Sequence, residues 1–194
     1  MVGSLAPTSN KPNLKARLIE VAKKLLVEHR GVKLPTMRQI ASAADVAPGA
    51  AYRHFASQEE LFIAVVTELF TDLESTITGS IKNSRDARNA LQNIAQSYVT
   101  WGIENPGGYQ LLFETTDKDD FLQTGQRPGL HLLEEFAQFI PITGGLKSQQ
   151  LDRMTMLWVS LHGLVSLRIH KTGMPWPKTI EQDVDELVSA FLRV

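Results

Sequence analysis

Tyr52, Arg53 and His54 follow one another in the chain. A phenol, a guanidinium and an imidazole side by side can hydrogen-bond to phosphates and to the edges of bases. The residues around them decide how they are presented. Pro48 suits the first position of a helix, where its missing N–H would be unpaired in any case. On a helix carrying Gly49-Ala50-Ala51-Tyr52-Arg53-His54-Phe55, Ala51 and Phe55 sit four apart and form an inner face. Pro48, Gly49, Ala50, Tyr52, Arg53 and His54 then point outward. Small residues at the front with polar donors behind them suit a helix laid into a DNA groove.

Such a face needs supports, and the preceding sequence supplies them. Thr36 and Gln39 have the spacing of a capping box, which opens a helix from Met37 to about Ala43 with Ile40 and Ala41 inward. A turn at Ala44-Asp45-Val46 joins it to the Pro48 helix, completing a helix-turn-helix. Ahead of both, Leu14, Leu18, Val21, Ala22, Leu25 and Leu26 form the stripe of a first helix over about 13–29, with Gly31 as its stop. Charge follows the same division. Residues 1–56 hold nine Lys/Arg and three Asp/Glu, a charge of +6, whereas the other 138 residues hold eleven and eighteen, or −7. The whole-chain charge of −1 hides a basic head on an acidic body, the pattern of a polyanion-binding module joined to something else.

The body also reads as helical. Ser57 and Glu60 open a long helix to about Thr78, with Leu61, Val65, Leu69, Leu73 and Ile77 on one face and a break at 79–84. A helix over about 85–104 is expected to stop at Asn105-Pro106-Gly107-Gly108. A short aromatic helix over 109–114, an acidic loop with Asp117, Asp119 and Asp120, and a helix from Pro128 to near Pro141 follow. Residues 149–171 are apolar nearly all round, which requires cover on more than one side. Thr179 and Gln182 cap a last helix bearing Val184, Leu187, Val188, Phe191 and Leu192. No strand pattern is present. The predicted fold is all-α: a flexible tail over 1–12, a three-helix helix-turn-helix domain over 13–57, and a helical bundle over 58–194 for ligand binding and dimerisation.

Through Thr36-Met37-Arg38-Gln39-Ile40-Ala41, Val46 to Phe55, and Glu59-Glu60-Leu61, the chain resembles the TetR family of bacterial transcriptional regulators. The rest resembles the C-terminal domain named for a Trp-His-Gly signature, here Trp158 and His162-Gly163, together with the segment 98–113. Three departures stand out. Asp45 replaces a turn glycine, Ala47 a capping Ser or Thr worth about 1 kcal/mol, and Gln58 a phosphate-contacting lysine. The resemblance implies that Arg38 meets a base or a phosphate, and that Gln58 is a weaker phosphate contact. Tyr52 and His54 fit phosphates, with Thr36 helping from its cap position. Arg53 fits a guanine edge, and Pro48, Gly49 and Ala50 permit close approach and apolar contact with thymine methyls. An effector cavity is also implied, with Tyr98, Trp101, Tyr109, Phe113, Phe136, Met154, Trp158 and His162 as its candidate lining. The last two helices are expected to pair with those of a second copy through Leu161, Leu164, Leu187 and Phe191.

Other classes find little footing. The chain has no cysteine, hence no thiolate site or disulfide. No apolar run approaches the ~20 residues of a membrane span, and the N-terminus lacks the apolar core of a signal peptide, so a cytoplasmic location is expected. No nucleophile elbow, phosphate-cradling glycine loop or His-Glu-x-x-His pattern occurs, so neither enzyme nor cofactor is expected. His162 has no second ligand at i+3 or i+4, which argues against a metal. The function expected is a sequence-specific DNA-binding regulator, most simply a dimeric repressor of a palindromic operator released by a small apolar ligand. The alternative is a helical ligand-binding protein that activates or has lost DNA binding.

Overall fold

The computed structural model describes residues 13–28, 35–114, 128–141 and 147–192, and these form helices with no strand. In chain order they are α1 (Leu14–Glu28), α2 (Met37–Ala43), α3 (Pro48–Tyr52), α4 (Gln58–Ile81), α5 (Ala87–Glu104), α6 (Pro106–Phe113), α7 (Pro128–Ala137), α8 (Lys147–His170) and α9 (Ile180–Leu192). The expected tail, the stop at Gly31 and the acidic loop of Asp117, Asp119 and Asp120 lie outside the described residues.

The head is built as its sequence implies. Thr36 Oγ1 accepts from the Gln39 N–H at 3.3 Å, and Gln39 Oε1 accepts from the Thr36 N–H at 2.8 Å, closing the capping box. At the far end of α2, Asp45 takes φ 52°. Its N–H donates to the Ser42 carbonyl at 3.0 Å, and the Val46 N–H reaches back to the Ala41 carbonyl at 3.0 Å. This is a Schellman turn, and Asp45 occupies the left-handed position where the family has glycine. Arg17 of α1 donates to the Ala44 carbonyl, tying α1 to this turn. Leu18, Ala22, Leu26, Met37, Ile40, Ala41, Ala51 and Phe55 are buried. Ala47 makes no side-chain cap, as expected.

In the body several boundaries differ from expectation. Helix α4 passes through Gly79 to Ile81. One glycine weakens a helix by only about 1 kcal/mol, and buried Ile77 with partly buried Ile81 anchors the extra turn. Ser57 caps α4 by accepting from the Glu60 N–H, but the Glu60 carboxylate takes the Ala56 N–H, so the expected reciprocal box is displaced by one residue. Helix α5 starts after Asp86, which accepts from the Asn89 N–H at 2.8 Å.

The largest correction concerns Pro106-Gly107-Gly108, which does not end a helix region but begins α6. These glycines serve contact. A Cβ on Gly108 would lie 3.0 Å from Leu69 Cδ2, and one on Gly102 of α5 would lie 2.7 Å from both Tyr109 Cδ2 and Val165 Cγ1. Helix α6 can therefore press against α4 and α5, and it also packs on α1 of the head. The Thr179–Gln182 box of α9 is as expected.

Helix α8 is buried on one side only. Met154, Leu157, Leu161, Leu164 and Val165 face the protein interior, whereas Met156, Val159 and Leu167 are each about half exposed. Leu161 and Leu164, at 2% and 9% exposure, are thus core residues of one chain and not the partner-facing positions expected of them. The helical stripe had been placed on the wrong side of α8. Leu187 and Phe191 of α9 are only partly buried.

The two kinds of glycine environment give opposite expectations. Gly102→Ala should lower unfolding stability in urea by about 1–3 kcal/mol, because backbone or ring must move. Gly79→Ala, with no atom within 4 Å of the new Cβ, should raise it by about 0.5–1 kcal/mol.

Candidate functional site

The outward face of α2 and α3 carries most of the residues picked out from the sequence. Arg38, Pro48, Gly49, Tyr52 and Arg53 are exposed, Ala50 and His54 are half-buried. Nothing lies within 4 Å of a Cβ built on Gly49, so a surface can approach the α3 backbone closely. Among the described residues neither Arg38 nor Arg53 has an ion-pair partner. The other cations of the head divide differently. Arg17 is bound to the Ala44 carbonyl, Lys23 pairs with Glu20 at 2.9 Å, and the Lys15 ammonium sits 5.3 Å from the Phe55 ring centre.

Three details depart from the sequence reading. Helix α3 ends at Tyr52, so Arg53 is its C-cap and His54 lies in the following turn. The Thr36 hydroxyl donates to Gln39 Oε1 at 2.9 Å, which leaves no proton for a phosphate; its role is the cap. One amide N–H of Gln58 donates to the Pro35 carbonyl at 3.4 Å, joining the start of α4 to the start of α2.

The second feature is a cavity of about 270 Å³ inside the body. Phe70, Leu73 and Ile77 of α4, Ile94 and Tyr98 of α5, and Leu112 and Phe113 of α6 form one part of its wall. Gly129, Leu130, Leu132, Leu133 and Phe136 of α7, with Met154, Trp158 and Leu161 of α8, form the rest. No charged side chain is among these residues. Phe113 is the centre of the aromatic wall, edge-on to Phe70 at 6.0 Å and to Tyr98 at 5.8 Å, and tilted against Trp158 at 6.2 Å.

Of the eight residues expected to line it, Tyr98, Phe113, Phe136, Met154 and Trp158 do so. Trp101 does not: its indole N–H donates to Asp72 Oδ2 at 2.8 Å, fastening α5 to α4 beside a separate polar cleft. Tyr109 and His162 also lie behind the wall. The Tyr109 hydroxyl is 2.6 Å from His162 Nδ1 and 3.1 Å from the Tyr98 hydroxyl, and the Trp158 N–H donates to the Tyr98 oxygen at 3.0 Å. Phe70, Leu73, Ile77 and the leucines of α7 escaped the sequence reading because a cavity wall and a solid core share the same apolar periodicity. Only the aromatic and sulfur-bearing residues had drawn attention.

Burial pushes both phenols well above the usual tyrosine range. Burial likewise holds the His162 imidazole below its ordinary value, against the opposing pull of Glu114, and so favours the neutral ring. Burial would raise the Glu114 carboxyl, but hydrogen bonds from His170 and Ser166 outweigh it and hold the group below the usual range. His170 Nε2 lies 2.8 Å from Glu114 Oε2. Among the described residues no group of His, Asp and Glu could hold a metal, and no helix is long and apolar enough to cross a membrane.

Comparison with known proteins adds to this geometry. Residues 18–65 match the family model of bacterial regulatory proteins of the tetR family, and residues 91–193 match the tetracyclin repressor-like C-terminal domain. The narrower Trp-His-Gly subtype gains no support from that match. The nucleoid occlusion factor SlmA of Haemophilus influenzae (strain PittGG) is 27% identical over 127 residues, which is 58% of either chain. The HTH-type transcriptional activator FasR of Mycolicibacterium smegmatis is 28% identical over 100 residues, 52% of this chain and 45% of that protein. The chain thus spans little more than half the length of these curated relatives. Among solved structures, a TetR-like transcriptional regulator from Rhodococcus sp. RHA1 superposes with TM-score 0.73 at 16% identity, covering 95% of this chain and 97% of that one. The fatty acid degradation regulator FadR of Bacillus halodurans gives 0.73 at 18% identity, with the same coverage. At such identities the likeness is one of fold.

Proposed function

The chain belongs to the TetR family of bacterial regulatory proteins, and from that premise we propose that it represses transcription as a homodimer bound to operator DNA and is released by a small apolar effector. Membership places it among DNA-binding regulators and not among enzymes. The observation that carries the effector part is the course of α4. This one helix packs on α1 of the head and also supplies Phe70, Leu73 and Ile77 to the cavity wall. A molecule that fits the cavity better in one tilt of α4 than in another shifts the head with it, and differential affinity of that kind is what release requires.

On DNA, Arg53 reads a base edge, while Arg38, Tyr52 and His54 hold phosphates. Arg53→Ala should cost about 1–3 kcal/mol and relax preference at one base per half-site. Tyr52→Phe should weaken binding to all sequences alike. Gel shifts with the promoter region upstream of its own gene measure both, and unchanged binding in both variants rejects this docking.

The second copy covers the exposed side of α8. Met156, Val159 and Leu167 present there what Leu161 and Leu164 do not, with partly buried Leu187 and Phe191 of α9 alongside. Val159→Glu should convert dimer to monomer with the helical circular dichroism intact, whereas Leu161→Glu should unfold the chain. Sedimentation equilibrium at micromolar concentration decides, and a monomeric wild type refutes the dimer.

The effector reading is tested by filling the cavity. Compounds that raise the melting temperature of the wild type and release DNA should do neither in Leu133→Trp, while that variant still shifts operator DNA. Release that persists in Leu133→Trp would place the effector elsewhere.

A further inference from the structure

Behind the apolar cavity runs a single file of hydrogen bonds whose direction can be read from its ends. The Trp158 indole N–H can only donate, and it does so to the Tyr98 oxygen at 3.0 Å. At the other end the Tyr109 hydroxyl is 2.6 Å from His162 Nδ1 and 3.4 Å from the His162 main-chain carbonyl. A carbonyl can only accept, so both neighbours of Tyr109 on α8 draw its proton the same way. The imidazole is also stacked on the Tyr109 ring, at 5.5 Å and 22°, which fixes its Nδ1 toward that hydroxyl. With the Tyr109 proton committed to His162, the 3.1 Å contact between the two phenols must use the Tyr98 proton. The file therefore runs from Trp158 through Tyr98 and Tyr109 to His162.

Tyr98 and Trp158 are the members of this file that line the cavity, and they are the polar-tipped side chains of its wall. The indole N–H and the Tyr98 proton are both already given away inside the file. What stays open toward a ligand is one lone pair on the Tyr98 oxygen, an acceptor with nothing to donate.

We propose that this file is a polarity selector: Tyr109 and His162, which lie behind the wall, orient Tyr98 so that the cavity takes an uncharged apolar ligand bearing a hydroxyl or N–H donor and discriminates against its carbonyl counterpart. The inference rests on the cavity being the effector site, and it adds the class of the ligand's polar group. Tyr98 is the contact residue; Tyr109 and His162 are positioning residues that act through it. The physical basis is the penalty on unmatched polar groups. A donor on the ligand finds the Tyr98 oxygen, whereas a carbonyl brought to the same place loses its water and faces a lone pair.

The test compares affinities of three probes for the full-length protein by calorimetry: naphthalene, naphthol and acetylnaphthalene. In the wild type naphthol should bind about tenfold more tightly than acetylnaphthalene, the worth of one hydrogen bond made against one unmade. Tyr109→Phe removes the acceptor of the Tyr98 proton, which then turns into the cavity, so the preference should reverse in favour of acetylnaphthalene. Tyr98→Phe deletes the acceptor, and naphthol should lose its advantage. Each result is a ratio of two ligands on one variant, so a loss of packing in that variant cancels. If all three probes bind and the ratio is the same in wild type and both variants, the selector is wrong while the effector cavity stands. If none of the three binds the wild type, the cavity reading fails and the selector with it.

Discussion

Helix α6 is held against its neighbours at distances that only glycine permits. A side chain on Gly102 would stand 2.7 Å from the Tyr109 ring and from Val165, and one on Gly108 would stand 3.0 Å from Leu69. Much of the body depends on that approach. It brings the Tyr109 hydroxyl to His162 and Tyr98, sets Phe113 among Phe70, Tyr98 and Trp158, and leaves α6 in contact with α1 of the head. An eight-residue helix beginning with Pro-Gly-Gly has little intrinsic stability. Its position is fixed by what it touches, so the glycines are placed for packing and not for flexibility.

The same helix separates two kinds of interior. Leu112 and Phe113 look into an apolar cavity, while Tyr109, Gln110 and Glu114 meet His162 and His170 of α8. Buried polar groups are tolerated when they are partnered, and here they form the layer immediately behind the cavity wall. An apolar ligand can thus fill the cavity without disturbing a charge. The hydrogen-bonded layer keeps α6 and α8 in register around it.

In the head, cations have separated into structural and available sets. Arg17 holds the α2 end, Lys15 lies over Phe55, and Lys23 is paired on its own helix, whereas Arg38 and Arg53 project without an acidic partner. Basic charge counted along the sequence therefore overstates what a polyanion meets. The left-handed turn at Asp45 matters as much as charge, because it sets the angle at which α3 and its Tyr52 leave α2. Aspartate enters that conformation more readily than most residues, since its short polar chain hydrogen-bonds locally.

Local rules carried far in this chain. Capping residues at Thr36, Ser57 and Thr179, the proline at the start of α3 and the apolar stripes were enough to determine an all-α fold, the helix-turn-helix and its outward face. Each depends on neighbours within four residues, and such neighbours are visible in the order of the amino acids. The tertiary structure alone decided the sides. Leu161 faces the cavity and Val159 the surface, though both belong to one apolar helix, because burial depends on which helices lie opposite. Trp101 binds Asp72 and leaves the cavity to Trp158 for the same reason. Gly107 and Gly108, which signal a break in any local reading, lie inside a helix because a partner 69 to 70 positions away in neither spacing nor period, Leu69, required the room.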